Sequence, residues 1–292
     1  MPGLTQAIYS GLLLGSIYAL VATGLTLIWG ALRMLNLAHG SIFMAGAYVA
    51  WLVVTTAGIH PLIGVPVAAA AMGLVGYILQ YMVVLPLLER PGWENNTLIA
   101  TVGVGIVLEN AVLLAFGGRN KTLPEIVPGG FKVGPLNVSF RDLVIAAVAV
   151  GVLLMMHLFL YRTRHGLAIR AIAQNMTAAR LMGVPVKRSF TIVMVISTAL
   201  AAVAGVLLSG IYFLSPTMGG PPLLKSLLVT IFGGLGSVKG TMWAAYLIGL
   251  LEALVSLYLG VKWSLQVLFL VMIVVLIVRP NGLFGLGEAR RL

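Results

Sequence analysis

The sequence has no cysteine, which excludes disulfides and thiolate-bound metals. It leaves the compartment open, since a reducing cytosol and a cysteine-poor bacterial envelope both permit it. Charge is nearly as scarce: 9% of 292 residues, 7 of them acidic against 18 Lys and Arg, with Arg33 the single formal charge ahead of Glu89. A chain that is 60% hydrophobic with a mean hydropathy of +1.09 has too little polar surface to coat a soluble globule. A membrane protein follows. The net charge of +11 would suggest nucleic acid in a soluble domain, but here the cations flank apolar runs. Membrane orientation is the simpler cause, and no nucleic-acid partner is expected.

What is there is apolar length. The stretch before Glu89 has room for three spans of about 20 residues each. Later apolar runs cover 97–117, 143–161, 189–214, 223–232, 241–259 and 263–278. Most are too long for barrel strands, which alternate over about ten residues. The fold class expected is all-α: a polytopic transmembrane bundle of eight or nine helices, some discontinuous, forming one membrane domain over 1–292. The run 223–232 is too short to cross alone and leads into glycines. The first run lacks a basic n-region, and Asn36 and His39 follow where an A-x-A site would be sought, so it is read as a span and not a cleaved signal peptide.

Sidedness comes from the stretch "RHGLAIRAIAQNMTAARLMGVPVKR" and its flank. Arg162, Arg164, Arg170, Arg180, Lys187 and Arg188 occupy loop 162–188 without one acid, which makes it cytoplasmic by the positive-inside rule. Counting spans outward puts loop 118–142 outside. The Glu89 to Glu94 turn, Arg33 and a tail with Arg279, Arg290 and Arg291 then lie inside. The outer loop fits the rule least well, with Arg119, Lys121, Lys132 and Arg141 against Glu125 and Asp142.

A helix over 167–182 would line Ile172, Met176 and Ala179 on one side and Arg170, Gln174 and Thr177 on another. Gly183 would take the left-handed position past its end, and Pro185 would stop it. Ala168, Ala171, Ala173, Ala178 and Ala179 would let a partner approach its backbone. A loop that only fixes topology, or an interfacial helix on anionic lipid, fits the residues too.

"TAARLMG" (177–183) matches the spacing of the EAA-x-x-x-G loop with which ABC importer permeases dock on their ATPase subunits. The longer "GLAIRAIAQNMTAARLMGV" resembles the permeases of branched-chain amino acid importers, as do "GLTLIWGALRMLNLAHGSIFMAGAYVA" and "FGGLGSVKGTMWAAYLIGLLEAL". The resemblance implies a coupling helix that includes Arg170, Gln174, Thr177, Ala178, Ala179, Arg180 and Gly183. It also implies a second permease subunit, usually in a heterodimer, two ATPase subunits, an external binding protein and the bacterial inner membrane. Thr177 stands where the general pattern has glutamate, so docking would rest on shape, Ala178, Ala179, Gly183 and the arginines. No G-x-x-x-x-G-K-[ST] occurs, so ATP and Mg are expected on the separate ATPases and no cofactor on this chain.

Two glycine-marked helix starts, "HGSIFMAGAY" and "KGTMWAAY", align Gly40 with Gly240, Ser41 with Thr241 and Phe43 with Trp243. Broken helices expose N–H groups to a transport path, so Asn36, His39, Gly40, Ser41, Gly240 and Thr241 are candidate path residues. Asn36 and His39 would equally serve to satisfy loosened backbone. Glu109 and Glu252 lie within apolar runs and need a partner or a proton, because an Asp at mid-membrane costs about 2.5–3.5 kcal/mol. No intramembrane basic partner is evident for either. His39, His60, His157 and His165 are scattered, and no metal site is expected. Gly11, Gly15, Ala19 and Thr23 form a small-residue stripe for close helix contact, with this chain or another. Loop 118–142 could be a docking surface for the binding protein or an ordinary connector. Urea, short amides or aromatic acids remain alternative substrates within the family, and a stand-alone secondary transporter or channel is the reading from another class.

Overall fold

The computed structural model describes residues 2–88, 90–125 and 127–284. Glu89, Arg290 and Arg291, used above to argue sidedness, lie outside the described residues. In hydrocarbon every backbone N–H and C=O needs an internal partner, and a helix supplies all of them within one segment. Among the described residues, eight helices are long and apolar enough to span. In order these are α1 (Pro2–Leu32), α2 (His39–Ala57) and α3 (Pro61–Leu79), which passes through a π-turn at Gln80–Val84 into α4 (Leu85–Leu88) and counts with it as one span. Then follow α5 (Trp93–Phe116), α6 (Phe140–Arg162), the short α7 (Arg164–Gln174) and α8 (Met176–Leu181), and α9 (Val186–Ser209). The chain continues with α10 (Gly220–Gly233), α11 (Val238–Tyr258) and, after a 3-10 turn at Val261–Trp263, α12 (Ser264–Val278). The polytopic helical bundle is as expected, and the short run near 223–232 is the 14-residue α10.

Small residues decide which helices touch. Gly11 and Gly15 of α1 lie against the backbone of Gly249 and Tyr246 of α11, so much of the stripe on the first helix is used within this chain. Gly46 of α2 meets Ala202 of α9, and Gly205 of α9 meets the carbonyl of Phe43, with no room for a side chain at either. Close backbone approach of this kind is the main source of helix association in lipid, where burying apolar surface brings no gain over lipid contact. As a result α1 and α9 are the most enclosed spans, while α5 and α12 face mostly outward.

The all-helical expectation needs one amendment. Within loop 118–142, β1 (Gly130–Val133) pairs antiparallel with β2 (Leu136–Ser139), in register from Gly130 with Ser139 to Val133 with Leu136. Gly134, at φ 57°, makes the turn. The hairpin is tied down: Gln6 Nε2 donates to the Asn137 carbonyl at 3.3 Å and its Oε1 accepts from the Asn137 N–H at 3.0 Å. Lys121 and Leu214 exchange backbone hydrogen bonds of 2.9 Å, which joins the loop to the α9–α10 connection.

Candidate functional site

Two helices start abruptly and meet end to end. α2 begins at His39 after a non-helical stretch that follows Arg33, the one non-glycine residue with positive φ among the described residues. α10 begins at Gly220 with Pro221 and Pro222 in its first turn, where the missing N–H groups cost nothing. Gly40 and Gly219 pack backbone to backbone, and a Cβ on either would collide with the carbonyl of the other. Around this junction Asn36 and His39 are fully buried. Asn36 Oδ1 accepts from the Ala38 N–H at 3.1 Å, and His39 Nε2 lies 3.1 Å from the Val21 carbonyl, to which its N–H donates. Asn36 Nδ2 and His39 Nδ1 have no hydrogen-bond partner among the described residues. Ser41, half-buried, lies beside Gly105 of α5.

The structure does not bring Gly240 and Thr241 to this place as counterparts of Gly40 and Ser41. Gly240 packs on Gly233, and its N–H donates to the capping Ser237 Oγ at 3.2 Å. Thr241 is buried in a hydroxyl cluster, 2.8 Å from Thr26 Oγ1, which lies 3.4 Å from Thr230 Oγ1. The aligned aromatics differ as well, with Phe43 fully buried and Trp243 65% exposed. The glycine that Gly40 packs against is Gly219. Its sequence signal was present in "GGPPLL", where glycine followed by proline opens an apolar run.

Glu252 also needs correction, because it does have an intramembrane basic partner. Lys225 of α10 donates to Glu252 Oε1 at 2.5 Å, and the Tyr18 hydroxyl of α1 donates to Glu252 Oε2 at 2.9 Å. Lys225 Nζ also donates to the Tyr18 oxygen at 3.0 Å. One carboxylate thus ties three helices. Glu109, half-buried on α5, has no ion pair among the described residues.

The basic loop forms two helices where one was expected over 167–182. Asn175 breaks it: at φ −155°, ψ 103° its side chain accepts from the Ala178 N–H at 3.0 Å and caps α8. α7 is fixed to the bundle. Thr163 caps it at Gly166, Arg170 Nε donates to the Leu160 carbonyl at 3.1 Å and stacks 4.7 Å over Tyr161, and Arg33 donates to the Ala173 carbonyl at 3.3 Å. Ile169 and Ile172 face inward. α8 ends as expected at a left-handed Gly183, φ 81°, with Gly183 N–H bonded to the Arg180 carbonyl and Val184 N–H to that of Ala179. This pair of bonds is a Schellman motif. The predicted face changes across the break. Ala179 is buried, while Met176 is exposed with Gln174, Thr177, Ala178 and Arg180. Leu181 and Met182, more than four-fifths exposed, are the two apolar side chains that the sequence reading missed. Leu181 lies about 200° around α8 from the buried Ala179, on its outer side, and Met182 is the C-cap just past the helix end.

With this geometry in view, residues 7–276 match the family model described as branched-chain amino acid transport system, permease component. The chain belongs to that family. Among its relatives, the high-affinity branched-chain amino acid transport system permease protein BraD of Pseudomonas aeruginosa is 33% identical over 300 residues, covering 98% of this chain and 97% of its own. The corresponding permease protein LivH of Escherichia coli K12 is 33% identical over 301 residues, with the same coverage. A probable branched-chain amino acid transport permease protein LivH of Methanocaldococcus jannaschii is 30% identical over 293 residues, 95% of this chain and 90% of its own. The permease is therefore a multi-pass transport subunit of the ABC importer class, and the stand-alone carrier reading gives way to family membership.

Proposed function

We propose that this permease forms the membrane path for branched-chain or related amino acids in the bacterial inner membrane. It would work with a second permease subunit, two ATPases that carry the ATP and Mg, and an external binding protein. The reading rests on its relatives for substrate class and on the tip of α8 for coupling. Leu181 and Met182 project from a helix end closed by the Schellman bonds, on the most basic loop of the chain. A solvated loop that only sets topology has no use for two such side chains, whereas an ATPase groove has. In this reading loop 162–188 is cytoplasmic, and closure of the ATPases on ATP pushes α8, then α7, against α1 and α6, which hold α7 through Arg33 and Leu160.

The path would run past the Gly40–Gly219 junction, where the N-terminal ends of α2 and α10 offer positive potential to a substrate carboxylate. Asn36, His39, Gly40 and Ser41 stay candidates there. Gly240 and Thr241 serve the joint between α10 and α11 instead.

The test is co-purification with the ATPases, together with ATP-dependent uptake in proteoliposomes containing the binding protein. Leu181→Asp with Met182→Asp should remove ATPase association and uptake while the permease still inserts. Normal assembly of the double variant would defeat the coupling role, and uptake of urea or aromatic acids in place of leucine would move the substrate within the family.

A further inference from the structure

A groove of about 660 Å³ opens on the flank of the bundle between α3 and the first half of α9. Tyr77 and Tyr81 form one wall, with ring centroids 4.7 Å apart; Ile192, Val195 and Ile196 form the other, and Arg188 lies at one end. Arg188 is in the first turn of α9, which begins at Val186. Ile196 is eight residues further on, about 12 Å deeper at 1.5 Å per residue. Tyr81 lies within the same depth, seven residues before the third span ends at Leu88. Leu74 and Met82 are exposed on the same helix, so the groove opens sideways to hydrocarbon. Its basic end is level with headgroups, and its apolar end is level with acyl chains. The Arg188 guanidinium has no hydrogen bond or ion pair to protein among the described residues, whereas neighbouring Lys187 is engaged by another group.

We propose that this groove holds an anionic glycerophospholipid, its phosphate on Arg188 and an acyl chain along Ile192, Val195 and Ile196. Three features point to that occupant. A guanidinium matches a phosphate bidentately and is weakly hydrated, so it favours this partner over water. Tyr77 and Tyr81, with apolar rings and polar tips, form a wall along which an acyl chain can lie below the headgroups. The net charge of +11 draws anionic lipid to the basic side of the molecule. The bound lipid would brace the turn between α8 and α9, because Arg188 follows Gly183 by only five residues.

The test is native mass spectrometry of the permease, in the assembly with which it purifies, after incubation with equal amounts of phosphatidylglycerol and phosphatidylcholine of matched chains. One phosphatidylglycerol should be retained preferentially. Arg188→Gln should lower its retention about tenfold, the loss of one charge-assisted contact. Ile196→Trp, which fills the groove without changing charge, should do the same, with Val195→Phe as a second filling variant if the first does not fold. Millimolar inorganic phosphate should not displace the lipid. Retention by the Gln and Trp variants equal to that of the unsubstituted permease would mean lipid held non-specifically around the belt and would overturn the proposal. So would displacement by inorganic phosphate, or a disulfide between a cysteine placed at Val195 and a second permease chain, which would make the groove a subunit interface.

Discussion

Lys225 carries an ammonium into a helix too short to cross the membrane, and it is held there by Glu252 and Tyr18. Removing one member of such a pair strands the other charge, whereas replacing both often costs little. Lys225→Met or Glu252→Gln alone should therefore lower stability by about 3 kcal/mol, and the double variant should recover most of it. Thermal unfolding in detergent, followed by tryptophan fluorescence, reads this directly; equal loss in all three variants would mean that the charges do not act as a pair. At the Gly40–Gly219 contact, Gly219→Val should prevent α10 from seating and abolish transport, whereas Gly220→Ala, with nothing near its missing Cβ, should be tolerated. Glu252 was legible from the sequence as a carboxylate in an apolar run. Its partner was not, because Lys225 sits 27 residues away in a segment that did not read as a span. Pairing across three helices is set by packing, and periodicity carries no record of it.

At the scale of elements, α7 and α8 behave as two parts with different anchors. Ala178 is exposed and Ala179 buried, so the two adjacent alanines should respond differently to bulk. Ala178→Trp should leave α8 folded and weaken ATPase association by about 2 kcal/mol or more, roughly thirtyfold in affinity. Ala179→Trp should instead disorder α8 itself, seen as faster amide exchange over 176–184 in the permease without its ATPases. If the two variants gave the same exchange pattern, the orientation of α8 would be wrong. Gly183→Val should cost about 1–2 kcal/mol locally, since φ 81° is a left-handed conformation that a β-branched residue resists. The end of this motif was readable because glycine and Pro185 punctuate it. The break at Asn175 was not, since asparagine within a helical pattern reads equally as a solvent-facing residue until its side chain is seen to cap.

Across the whole molecule, the number and nature of the spans were legible, because a chain in hydrocarbon must satisfy its backbone internally and these runs are too long for barrel strands. Which helices lie at the centre was less legible. Gly11 and Gly15 announced a contact, but whether it was made with α11 or with another chain depends on shape. Sidedness rests on charge, and it can be checked at an exposed site. A cysteine at Asn175 should be protected from impermeant thiol reagents in intact cells and modified in inverted vesicles. Labelling from outside would reverse every loop assignment and place α8 beyond reach of any ATPase.

The Lys225–Glu252 pair also has a history within each round of synthesis. The lysine leaves the ribosome 27 residues before its carboxylate, a wait of about 1 to 5 seconds at ordinary elongation rates. Over that interval a cationic half-helix has no counter-charge, while Tyr18 is already in place on α1. α10 is thus expected to linger at the membrane surface or within the insertion machinery until α11 arrives, and the two to enter as a hairpin. A ribosome stalled between them should leave Lys225 accessible to water-soluble amine reagents, and release of the stall should bury it.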